Sequence, residues 1–192
     1  MKRHLAFTAV AAIVAATPAA AQGRHDGFTV SVGVGGGSAG ATCEGCSTDR
    51  QKAPSLYLRL GGAVRPNLVI AGELNGWTKQ ESSQGFDATI TNATVNAVAQ
   101  WFPQPTGGFF VSGGVGLGSI EVALKANNIG TLSNRTNGLG FQVGTGYDIQ
   151  LTRGFALTPF ATYFTTAGGK VESSGEKING NVLQAGLGFT WP

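Results

Sequence analysis

The sequence predicts an all-β fold, an eight-stranded antiparallel up-and-down transmembrane β-barrel. Three observations predict it. Residues 138–151 alternate strictly: Leu139, Phe141, Val143, Tyr147, Ile149 and Leu151 share one face, and Gly140, Gln142, Gly144, Asp148 and Gln150 share the other. Successive strand side chains point to opposite sides, so this is a strand with one oily and one small, polar face. Eight such segments fill the chain, and no amphipathic helix competes with them. The connections alternate too, with short ones at 65–67, 102–108 and 152–154 and longer ones at 37–54, 79–87, 121–136 and 167–178. Unequal rims of this kind describe an up-and-down barrel.

The segments follow in order. In 27–36, Phe28, Val30, Val32 and Val34 oppose Thr29, Ser31, Gly33 and Gly35. In 55–64, Leu56, Leu58, Leu60 and Val64 oppose Tyr57, Arg59 and Gly61. Segment 68–78 sets Leu68, Ile70 and Leu74 against Ala71, Glu73 and Asn75. Segment 88–101 sets Val95, Ala97, Ala99 and Trp101 against Asn96, Val98 and Gln100. In 109–120, Phe109, Val111, Val115 and Leu117 oppose Ser112, Gly114, Gly116 and Gly118. After 137–151 comes 155–166, where Phe160 and Phe164 lie opposite Leu157 and Tyr163 and the oily face stays ambiguous. The last, 179–191, sets Leu183, Ala185, Leu187, Phe189 and Trp191 against Gln184, Gly186, Gly188 and Thr190.

Residues 1–21 read as a signal peptide that is removed, with basic Lys2 and Arg3, an apolar run over Leu5–Ala16, and Ala19-Ala20-Ala21 before the cut. The barrel domain is then 22–192. Without Lys2 and Arg3 the chain keeps 11 cationic against 10 anionic residues, which leaves no nucleic-acid footprint. Charged residues make up 12% of the sequence, about half the usual share. Of the 21 charges beyond the leader, only Arg59, Glu73 and Asp148 fall within the predicted strands, all on the polar face. An Arg or Lys facing the bilayer midplane costs roughly 2–4 kcal/mol, so an oily face free of charge is the lipid face. The aromatics then mark two interfaces. Trp101, Phe109, Phe155 and Trp191 lie near the short turns, and Trp77, Phe86 and Tyr163 near the long loops.

The chain end carries the most specific motif. Gln184, Gly186, Phe189 and Trp191 occupy the polar, glycine, hydrophobic and aromatic positions of a pattern that resembles the C-terminal targeting signal of bacterial outer-membrane barrels. Here Pro192 follows the terminal aromatic. Taken whole, residues 27–192 resemble the small eight-stranded outer-membrane barrels of the OmpA-like and OmpX-like type. The resemblance implies integral residence in the bacterial outer membrane, periplasmic termini and extracellular long loops. It also implies outer-membrane lipids and, during biogenesis, the barrel-assembly machinery as partners.

Within that barrel, a hairpin centred on Pro66 pairs Val64 with Leu68 and so sets Arg59 opposite Glu73, both into the lumen. An eight-stranded interior is just filled by side chains, so such a pair plugs rather than lines a path. Cys43 and Cys46 fall in the first long loop, where an oxidising compartment favours a disulfide. A haem attachment would need His where Ser47 stands, and no βαβ context supports a redox enzyme. Gly35, Gly37 and Gly40 have dinucleotide-motif spacing but no following helix. His25, in the N-terminal lead, is the one histidine after the leader, so no nucleophilic triad is expected at a rim. The carboxylates Glu44, Asp49, Glu81 and Asp87 read as loop charges. No catalytic residue, metal or cofactor is expected. The expected role is non-enzymatic, either structural in the envelope or presenting loops to a surface ligand. Its rivals are a narrow small-solute channel, an envelope lipid-modifying enzyme and a soluble periplasmic lipid-binding barrel.

Overall fold

The structure is a computed structural model, and it describes residues 27–43, 46–47, 49–83, 86–126, 130–170 and 177–191. The leader 1–21 and His25 lie outside the described residues. Eight long strands follow one another: β1 (Phe28–Cys43), β2 (Gln51–Arg65), β3 (Leu68–Ser83), β4 (Phe86–Trp101), β5 (Phe109–Ala126), β6 (Gly130–Tyr147), β7 (Phe155–Lys170) and β8 (Lys177–Trp191). Ile149–Thr152 continues β6 past Asp148, and Cys46–Ser47 folds back on the end of β1. Each strand pairs antiparallel with the next. Pairing of β8 with β1, from Val30↔Trp191 to Cys43↔Ile178, closes the cylinder. Closure removes every free edge, the condition for a sheet to sit in lipid.

The two faces sort as the alternation requires. Leu139, Phe141, Val143, Tyr147 and Ile149 are exposed, whereas Gln142 and Asp148 are buried. Gln150, expected inside, is instead exposed at the rim, because the β6 ladder breaks at Asp148. The ambiguity of β7 resolves with Phe160 and Phe164 inside and Leu157 and Tyr163 outside. Phe155 stacks on Phe189 at 5.4 Å and meets Trp191 at 5.3 Å. With exposed Phe28, Trp101, Phe109 and Tyr147 they ring the rim where β1 begins and β8 ends. This terminal rim carries the turns at 66–67 and 153–154 and the connection 102–108.

Two further expectations need correction. The strands run far beyond their predicted ends at the opposite rim. Stretches 79–83, 121–126 and 130–136, expected as loop, are ladder-paired strand. Their charges signalled loop, yet a backbone ladder needs no lipid and continues past it. Apolar outward positions of β5 run from Phe109 to Leu117, nine residues, enough to cross a bilayer at barrel tilt. The remaining nine, 118–126, carry the cylinder roughly 20 Å further. The second correction is Trp77, expected at an interface. It is buried at 2% exposure and donates from Nε1 to the Gly37 carbonyl at 3.1 Å. Period two from Glu73 and Asn75 puts it inside. The side chain of Phe86 lies outside the described residues.

Near the far end of β7 the register slips between Ile178 and Gly180, where Gly168 takes φ +73°. Glycine enters that left-handed region without a Cβ clash, and the resulting bulge turns Gly169 inward.

Candidate functional site

The lumen is built in layers. Next to the terminal rim, Val69, Phe102 and Phe110 form an apolar seal, with the two rings 5.6 Å apart. Phe102 belongs to the connection rather than to a strand. Its N–H donates to the Asn67 carbonyl at 2.9 Å, which holds the residue under the barrel. Asp148 sits nearby, 4% exposed, and accepts from Thr158 Oγ1 at 2.6 Å.

Above that seal lies a polar core. Arg59 and Glu73 are register partners, and Arg59 Nε donates to Glu73 Oε2 at 2.5 Å. The register holds from the strand centre to Ala63↔Val69, then a bulge at Val64 pairs Arg65 with Leu68. The other carboxylate oxygen, Oε1, accepts from Asn75 Nδ2 and Gln142 Nε2, both at 2.9 Å. Gln142 Oε1 in turn accepts from Asn75 at 2.8 Å and Asn96 at 2.7 Å. Gln184 Nε2 donates to Asn75 Oδ1 at 2.6 Å, and Arg59 Nη1 donates to Gln100 Oε1 at 3.1 Å. The guanidinium also lies 5.3 Å from the Tyr57 ring centre and 5.6 Å from that of Phe110. Tyr57 has room because Gly33 and Gly188 face it, where a Cβ would run into its ring and its hydroxyl, respectively. A buried charge pair persists only when further hydrogen bonds satisfy it, and these amides do so.

A second apolar layer, Ala39, Trp77, Phe164 and Val182, roofs the polar core. Beyond it the lumen opens into a cup of about 560 Å³ at the far rim. Here the strands invert their pattern. Inward positions are apolar, among them Ala88, Ile90, Ile120, Val122 and Ile178. Outward positions are polar, among them Thr78, Gln80, Thr89, Thr91, Asn179 and Asn181. Sequence reasoning missed the cup, because the inversion falls in stretches whose charges read as loop.

The remaining predicted positions are spread out. Gln184 and Gly186 face inward and Phe189 and Trp191 outward, all on β8. Cys43 and Cys46 are opposed in the short ladder beside β1, and their side chains lie outside the described residues. Lys79 pairs with Glu81 at 2.6 Å on the cup wall, and Asp49 is exposed at its mouth. Among the described residues, no three His, Cys, Asp or Glu side chains gather as a metal site would require.

Solved structures share this architecture. Ail, the attachment invasion locus protein of Yersinia pestis, crystallised with the heparin analogue sucrose octasulfate, superposes with a TM-score of 0.59 at 14% identity. The match covers 85% of this chain and 99% of that one. Neisserial surface protein A superposes at 0.56 with 17% identity, covering 86% of this chain and 97% of its own. At such identities the likeness concerns the fold. No curated protein matches in sequence. The sequence profile of the outer membrane protein beta-barrel domain matches residues 7–190. An eight-stranded closed cylinder, an apolar belt and that profile together make the chain a member of the outer membrane protein β-barrel domain family.

Proposed function

We propose that this protein is a closed, non-enzymatic barrel of the bacterial outer membrane. It strengthens the envelope and holds a rigid β-cylinder beyond the membrane surface for contact. The observation that carries the reading is Glu73, whose carboxylate is held from three sides by Arg59, Asn75 and Gln142 across the lumen. With apolar layers on both sides of it, the centre is filled by side chains that are 5% exposed or less. A filled barrel holds its projecting ends rigidly and moves little through its middle. In this reading the terminal rim faces the periplasm and the far rim the exterior, as short turns and longer projections do in such barrels. Ail's name links it to attachment. Its sulfated ligand does not carry over simply, because the described far-rim charges here mix Arg50, Lys52, Lys79, Lys125 and Arg135 with Asp49, Glu81, Asp87 and Glu121.

Planar-bilayer recording tests the reading. The refolded protein is expected to give no steady conductance. The variant Arg59→Ala/Glu73→Ala/Trp77→Ala/Phe102→Ala, which thins the polar core and both apolar layers, serves as the open comparison. Steady openings from the unaltered protein would overturn the closed-barrel reading.

A further inference from the structure

The polar core explains a stable barrel but not the cup above it. Level with the apolar belt, the centre of the lumen is filled by polar side chains held between two apolar layers. Past the belt the opposite holds, and Ile90, Ile120, Val122 and Ile178 turn toward a concave space while Thr and Asn face outward. That is the pattern of a soluble barrel that encloses a ligand. A space of about 560 Å³ falls within the usual range of small-molecule sites, roughly 300–1,000 Å³.

The polar groups narrow the chemistry. Asn92 is 4% exposed, and its Oδ1 accepts from Thr166 Oγ1 at 3.3 Å. No acceptor among the described residues meets its Nδ2, which would lie 2.8 Å from a Cβ placed on Gly180, a cup-lining position. An amide donor that opens on the cup from an otherwise buried residue, beside an apolar wall, is a recognition point for a single acceptor. Among the described residues, the one ammonium on the wall, Lys79, is already engaged by Glu81 and by Gln51.

We infer that the cup binds a small, uncharged, largely apolar molecule carrying one carbonyl or hydroxyl oxygen, with that oxygen on Asn92 Nδ2 and the apolar body against Ile90, Ile120 and Ile178. The site is separate from the closed lumen below, so conductance and binding fail independently.

The test titrates the refolded barrel, in lipid nanodiscs, with the naphthyl ketone 6-propionyl-2-dimethylaminonaphthalene, whose emission reports polarity and hydrogen bonding. A saturable blue-shifted component is expected, displaced by 2-acetylnaphthalene but not by 2-naphthoate. Asn92→Ala should weaken it by roughly threefold to tenfold, the worth of one hydrogen bond. Ile120→Asp, which puts a carboxylate among the isoleucines, should weaken it by roughly tenfold or more. Should Ile120→Asp not fold, Ala88→Phe, which fills the cup from its mouth, provides the same comparison. Emission that never saturates, or that is identical in the unaltered barrel and in the folded filled-cup variant, is partition into lipid and overturns the site. Saturable binding unchanged by Asn92→Ala overturns the assignment of the acceptor.

Discussion

Glu73 is the residue on which most of the interior depends. Its two oxygens take three hydrogen bonds, one of them from a guanidinium. Removing one member of a buried pair strands the other charge, so Glu73→Ala should cost about 3–5 kcal/mol. Urea unfolding of the barrel in lipid vesicles measures this. Arg59→Met/Glu73→Met should cost less than the two single changes summed, since no charge is then left alone. The pairing itself was legible in the sequence, because a hairpin about Pro66 fixes which residues oppose one another. The third and fourth partners were not. Asn75 reaches Gln142, which is far away in the chain, only because closure brings β6 across from β3. Strand alternation says that both point inward but not that they meet. Trp77 shows the reverse case. Its parity with Glu73 was readable, and its size drew attention to an interface role that an interior ring does not have.

At the scale of the strand, the deciding quantity is how far the oily outward run extends. On β5 that run ends at Leu117, which is 70% exposed, and Glu121 lies beyond it. Val115→Arg should therefore cost roughly 2–4 kcal/mol, and Glu121→Arg roughly 0–1 kcal/mol. The same vesicle unfolding assay, read along β5, locates the membrane boundary. Equal costs at the two sites would mean that the belt extends further than its hydrophobicity indicates. Strand existence and facing were readable from period two alone. Strand length was not, since Glu121, Lys125 and Arg135 look like loop residues until the ladder partners Glu121↔Arg135 are known. The cup was hidden for that reason. Its apolar positions alternate correctly, but with the opposite sense to the belt, and a reading fixed on one sense discards them.

For the whole molecule, the layers give a single vertical order: aromatic girdle and Phe102 seal, charged polar core, Trp77 roof, apolar cup. Polar core members come from β2, β3, β4, β6 and β8, and the bond from Gln184 to Asn75 joins the last strand to the third. Such a network has a consequence in time as well as in energy. None of its long-range bonds can form until the final strand has found the first, so the network is absent while the sheet is still curling. Interactions made that late slow escape from the native state without hastening arrival. Glu73→Gln should accordingly speed unfolding in a denaturant jump while leaving the refolding limb nearly where it was. In that sense the charged core works as a catch that drops only once the cylinder has shut.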